Sequence, residues 1–119
     1  MNDAWIFLSI GDGALRCGDW VTLKGLIQMA DSINHAIPTM DELEIGVSNL
    51  AGAGLVESDG SRTRLTADGC KAFGAAHRPN VGHIQRFLDL GHAWEDRGFP
   101  PVATKTWILD DNEYREAAF

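Results

Sequence analysis

Four histidines, His35, His77, His83 and His92, and two cysteines, Cys17 and Cys70, are the side chains here best suited to hold a metal or form a nucleophile–base pair. Their spacing supports neither chemistry. No paired CxxC or HExxH pattern occurs. His83 and His92 stand nine residues apart, which on one helix puts them on different faces. Gly11-Asp12-Gly13 is too short for a phosphate cradle and lacks a clear strand-to-helix setting. Structural or surface histidines are expected, with no catalytic residue, no metal and no cofactor.

Charge is the next constraint. Ten Lys and Arg face 17 Asp and Glu, for a net charge of −7 at pH 7. Polyphosphate partners are held chiefly through positive charge, so an acidic chain starts at a disadvantage with nucleic acid. Residues 1–79 carry six basic against ten acidic side chains, and residues 80–119 carry four against seven. Acidity is therefore not confined to a tail that could swing aside. The DNA-facing cations available are Arg16, Lys24, Arg62 and Arg64, and they would have to converge on one face.

A 45% hydrophobic and 23% charged composition is globular rather than disordered. The longest apolar run, Ala4 to Leu8, is far too short to span a bilayer, and no basic segment precedes it. No membrane partner is expected. Two cysteines do not make a disulfide framework; they read as reduced thiols of a cytoplasmic protein, with a single bridge as the alternative.

The elements that must position these residues can be read from periodicity. Residues 3–12, DAWIFLSIGD, form either a short helix capped by Asp3 or a buried strand, stopped by Gly11 and Gly13. Thr22 caps a helix in which Leu23, Leu26, Ile27, Ala30 and Ile33 recur at helical spacing. After Pro38, Thr39 and Glu42 make a capping box, and Leu43, Val47, Leu50, Ala51 and Leu55 line one face. Asp41 and Glu42 suit a helix N-terminus, whereas Glu44 has less reason to be there. Asp59-Gly60 signals a hairpin whose second strand turns Thr63 and Leu65 inward and Arg62 and Arg64 outward. Thr66 caps a further helix with Cys70, Phe73 and His77 on one side, closed by Arg78-Pro79.

The run L50-A-G-A-G-L-V56, the D59-G60 turn and R64-L-T-A-D-G69 resemble the L-x-x-x-G-L-V … L-T-x-x-G pattern of winged helix-turn-helix regulators of the PadR and MarR type. The resemblance covers residues 3–77 and implies a mainly α fold with a small β-hairpin. It implies that the helix from Thr39 to Gly54 would lie in a DNA major groove, with Arg62 and Arg64 on the wing near phosphates. Ser48 and Asn49 would then face bases, with Lys24 as a further phosphate contact. With Leu43, Val47 and Leu50 inward, however, the outward set is Asp41, Glu42, Glu44 or Ile45, Ser48, Asn49 and Gly52. No cation on that face offsets its carboxylates, and like charge repels the DNA backbone.

The expected domain plan is a winged helix over residues 1–79 and a helical extension over 80–119. In the extension Ile84, Phe87, Leu88, Gly91 and Trp94 recur at helical spacing, with Gly98 as a stop. Asp110 and Glu113 announce a last short helix, which Trp107, Ile108 and Leu109 anchor unless they face a partner. The extension either completes the core or mediates dimerisation; Ile84, Phe87, Leu88, Trp94 and Trp107 are the candidate protein interface. The expectation is a non-catalytic domain working through protein contacts, as a homodimer or with another chain. The alternative is a DNA-binding regulator using Lys24, Ser48, Asn49, Arg62 and Arg64.

Overall fold

A computed structural model describes residues 2–76, 82, 85, 89–94 and 104–119. The fold is mainly helical with one two-stranded antiparallel hairpin. Its elements are α1 (Asn2–Gly13), α2 (Leu23–Asn34), α3 (Met40–Gly52), β1 (Val56–Asp59), β2 (Arg62–Leu65), α4 (Ala67–Ala76) and α5 (Asp111–Ala118). Residues 89–94 are also helical.

The run whose periodicity was ambiguous between helix and strand is the central helix. Every residue of α1 from Ala4 to Gly11 is buried, because α2, α3, β2 and α4 surround it. A helix enclosed on all sides is apolar all round, which removes the amphipathic signature and explains the ambiguity. Asp3 lies in its first turn rather than capping it, and the helix continues through Gly11 to Gly13. Gly11 is there for clearance: a Cβ would stand 2.3 Å from the Phe73 ring on α4. Gly46 does the same on α3, where a Cβ would approach the Ile6 side chain to 2.8 Å. Trp5 donates its indole N–H to the Ala30 carbonyl at 2.9 Å, so a buried polar tip is satisfied and α1 is fixed against α2.

The capping chemistry has the expected geometry. Thr22 Oγ1 accepts from Gly25 N–H at 3.1 Å at the start of α2. Thr39 and Glu42 form the reciprocal box on α3, and Thr66 Oγ1 accepts from Gly69 N–H at the start of α4. In the hairpin Val56 pairs with Leu65 and Asp59 with Arg62, and Gly60 takes φ +61° in the turn. Thr63 and Leu65 are buried while Arg62 is exposed and Arg64 half-exposed. Val21 bridges to Thr63 and ties the α1–α2 loop to the hairpin.

One expectation is corrected. Cys17 and Cys70 are joined in a disulfide, not reduced, with Cα atoms 5.8 Å apart. The fold folds α4 back onto the α1–α2 loop, which brings together residues 53 apart in sequence. Trp107, a candidate interface residue, is 5% exposed and packs in the core of its own chain, as does Leu109. Trp94 packs at 4.9 Å, ring centroid to centroid, from Phe7, and Leu90 also lies against the core. Ile84, Phe87 and Leu88, like His77 and His83, lie outside the described residues. No helix among the described residues is long and apolar enough to cross a membrane.

Candidate functional site

The outward face of α3 is where a helix-turn-helix protein would meet its ligand, so its geometry decides most about function. It is covered. A strap without regular secondary structure, residues 105–109, runs across it and leads into α5. Ser48 Oγ accepts the backbone N–H groups of Thr106 at 3.0 Å and Trp107 at 3.2 Å. Glu44 Oε2 accepts the N–H of Leu109 at 2.7 Å, and Glu44 Oε1 accepts from Lys105 Nζ at 3.0 Å. Lys105 Nζ also meets Asp41 Oδ1. Trp107 then reaches the hairpin, donating its indole N–H to the Gly60 carbonyl at 2.8 Å. Beyond the strap, Tyr114 on α5 donates its hydroxyl to the Pro38 carbonyl at 2.7 Å.

This arrangement overturns the expected exposure of Ser48 and Asn49. Ser48 is fully enclosed, its hydroxyl engaged by the strap backbone. Asn49 is 9% exposed and turns toward α1, where its amide donates to the Asp3 carboxylate at 3.3 Å. Neither can read a base edge without rearrangement. Glu44, one of two candidates for an outward position, is buried, and Ile45 is the exposed one. The physical reason is that α3 is covered on two sides: α1 takes the Leu43, Val47 and Leu50 face, and the strap takes the Asp41, Glu44 and Ser48 row.

The counter-charge missing from the α3 sequence is supplied 61 residues away by Lys105. The ammonium is held in its charged form: the hydrogen bonds to Asp41 and then Glu44 raise its pKa above the ordinary lysine value. Burial, reinforced by the charge of Glu42, raises the Tyr114 hydroxyl, so it remains a donor to Pro38. Burial also raises Asp3, with the Asn49 amide and the N-terminal charge pulling partly the other way. Glu44 carried the only legible signal, as a carboxylate with no capping duty. The contacts that Lys105, Leu109 and Tyr114 make are not legible in the sequence, because their partners lie more than 60 residues away.

The hairpin cations are also occupied. Arg62 pairs with Asp59 at 2.6 Å and Arg64 with Glu57 at 2.7 Å. Both guanidinium groups stack on Trp20, at 4.9 and 4.3 Å from the ring centre. The sequence places two arginines on one hairpin face, but the cross-strand carboxylates that neutralise them follow only from the register. Lys24 is exposed on α2, where it lines a cleft of about 200 Å³ with Ile27, Gln28, Asp31, Ile37 and the end of α5. Among the described residues it shares no ion pair or ring contact with Arg62 or Arg64.

No group of three or more His, Cys, Asp or Glu side chains among the described residues is placed to hold a metal ion. The chain matches no protein-family model, no curated protein and no solved structure.

Proposed function

We propose that this chain is a non-catalytic winged-helix domain that works through protein contacts in a regulatory setting. The order of helix, helix, helix, hairpin and helix supports the winged-helix part of this reading. The observation that carries the functional part is the covering of α3. The row that would enter a major groove is acidic at Asp41 and Glu44 and is occupied by the chain's own strap. A DNA reader needs that row open and flanked by free cations, whereas Arg62 and Arg64 are each paired with a carboxylate. The same features suit recognition of a polypeptide, which brings its own backbone donors and a cation to a row of acceptors.

Reduced thiols would support a cytoplasmic setting, and the Cys17–Cys70 bridge removes that support. Either the protein works where disulfides persist, or the pair cycles between dithiol and disulfide in the cytoplasm.

The second reading, duplex binding, is favoured by one feature: Arg62 and Arg64 stand side by side on the exposed hairpin face. The two readings separate in one titration. A labelled random-sequence duplex, titrated with the protein at several salt concentrations, is expected to show no rise in anisotropy even at low salt. Binding whose log–log salt slope is about −2 to −4 would indicate two to four phosphate contacts and overturn the leading reading.

A further inference from the structure

We propose that the groove formed by α3 and the hairpin is a peptide-recognition groove, and that its partner in trans is residues 104–119 of a second copy of this chain, exchanged reciprocally. The inference rests on the protein-contact reading above and gives that reading a surface and a partner.

The strap is seated in the manner of a bound peptide. Its side chains alternate: Lys105, Trp107 and Leu109 turn toward the domain, while Thr106 and Ile108 turn away, Ile108 being 68% exposed. Its backbone donors are gripped by groove side chains, Ser48 taking two N–H groups and Glu44 one. Alternate side chains then supply selectivity, with an ammonium between two carboxylates and an indole donating to the Gly60 carbonyl. Main-chain hydrogen bonds combined with every-second-residue anchoring is how grooves hold extended peptides.

Every polar contact between this segment and the rest of the domain described above is made through a side chain on at least one partner. Each would be reproduced unchanged if the segment came from a neighbour. Exchange of an identical element is a low-cost route to a dimer, since the closed contacts are the same in both forms. The tethered strap wins in dilute solution, because its effective concentration is on the order of millimolar. Exchange therefore becomes visible when docking in cis is made unfavourable.

Two full-length variants achieve this. Lys105→Glu sets a like charge against Asp41 and Glu44. Asp41→Lys with Glu44→Gln leaves the Leu109 acceptor in place but sets a like charge against Lys105. Each variant alone is mismatched in cis and as a homodimer. Co-refolded in equal amounts, each groove finds a matching strap only on the other chain. Light scattering and native mass spectrometry are expected to show a mixed dimer, doubling the mass, with each variant alone at single-chain mass. A chain carrying all three substitutions is matched again in cis and should be monomeric with near-native melting.

A mixture that remains at single-chain mass overturns the proposal. So do homodimers of either variant alone, which would show association independent of strap pairing. If the triply substituted chain fails to fold, these charges do not seat the strap and the proposal falls as well. The exchange experiment contains no nucleic acid, so its failure is distinct from failure of the protein-contact reading, which the duplex titration decides.

Discussion

Ser48 Oγ accepts the backbone N–H of Trp107 at 3.2 Å across 59 residues of sequence, and neither atom is open to solvent competition. This one hydrogen bond joins the middle of α3 to the start of the tail. It converts a position expected to read DNA into one that holds the chain's own backbone. The hydroxyl also accepts from Thr106, so a single small side chain serves two main-chain donors.

Ser48→Ala should therefore cost more than its size suggests. The Trp107 amide would be left buried without an acceptor, a loss of about 1–3 kcal/mol, while the exposed Thr106 amide can turn to water. Urea denaturation should show that loss without a change in slope. Ser32→Ala, on the exposed face of α2, should be neutral and serves as the control. A loss below about 0.5 kcal/mol for Ser48→Ala would mean that the strap is not held where these distances place it.

The legible parts of the fold were those governed by residues near one another in sequence. The Thr22, Thr39 and Thr66 caps, the Asp59-Gly60 turn and the inward Thr63 and Leu65 all follow from spacings of a few residues. The α1 run was ambiguous because burial on every side leaves no polar face to set the period. The α3 face differs from its sequence pattern for a related reason. A buried Ser48 and a buried Glu44 look like surface residues until the strap that satisfies them is in place. The alternation of Lys105, Trp107 and Leu109 is present in the sequence, but a segment without regular secondary structure announces no partner by itself. The bridge between Cys17 and Cys70 depends on tertiary proximity in the same way.

The tail should loosen at alkaline pH. Lys105 and Tyr114 both have pKa values raised above 10.5 and 10.0, by the Asp41 and Glu44 hydrogen bonds in one case and mainly by burial in the other. A raised value means the folded state binds the proton more tightly. The stabilisation is complete below the ordinary values and is lost as pH climbs through the folded ones. Thermal melts from pH 8 to 12 should show a falling alkaline limb that flattens in Lys105→Met and in Tyr114→Phe. Identical limbs in all three proteins would remove these groups as its cause.

At the acid end Asp3 acts in the opposite direction from a salt-bridged carboxylate. Burial raises its pKa above the ordinary 3.8, so its contribution to stability is greatest below that value and is lost as pH rises through the folded pKa. At neutral pH the ionised form is a net cost. Asp3→Asn retains an acceptor for the Asn49 amide and removes the charge. Its melting temperature should exceed that of the parent at pH 7, with the difference closing toward pH 3. A variant less stable at pH 7 would show that Asn49 holds the carboxylate more strongly than burial penalises it.

Reduction of the Cys17–Cys70 bridge should destabilise without unfolding at once. Closing a loop across 53 residues restricts the unfolded chain by about 4 kcal/mol on the chain-entropy account. Cys17 is exposed, so the bond is accessible to a reductant. Thiol titration of the unreduced, denatured protein should find no free thiol. Cys17→Ser with Cys70→Ser should lower Tm by on the order of 10 °C. Two free thiols per chain in protein purified without reductant would show that the bridge does not form there.

Arg62 and Arg64 give the sharpest contrast between the two functional readings. Each is paired to a carboxylate and stacked on Trp20, yet both pairs are solvent-exposed, where ion pairs contribute about 0–1 kcal/mol and a cation–π contact about 0.5–1 kcal/mol. Replacing both by Ala should cost no more than about 4 kcal/mol in total and leave the hairpin folded, because Thr63, Leu65 and Val56 hold it from the core side. Trp20 emission should change as two cations leave its ring. Under the protein-contact reading the substitutions leave duplex anisotropy flat, as in the parent. If instead the parent binds duplex and the double variant reduces the salt slope by about two, the carboxylates beside these arginines yield to phosphate, and the hairpin is a DNA-contacting wing after all.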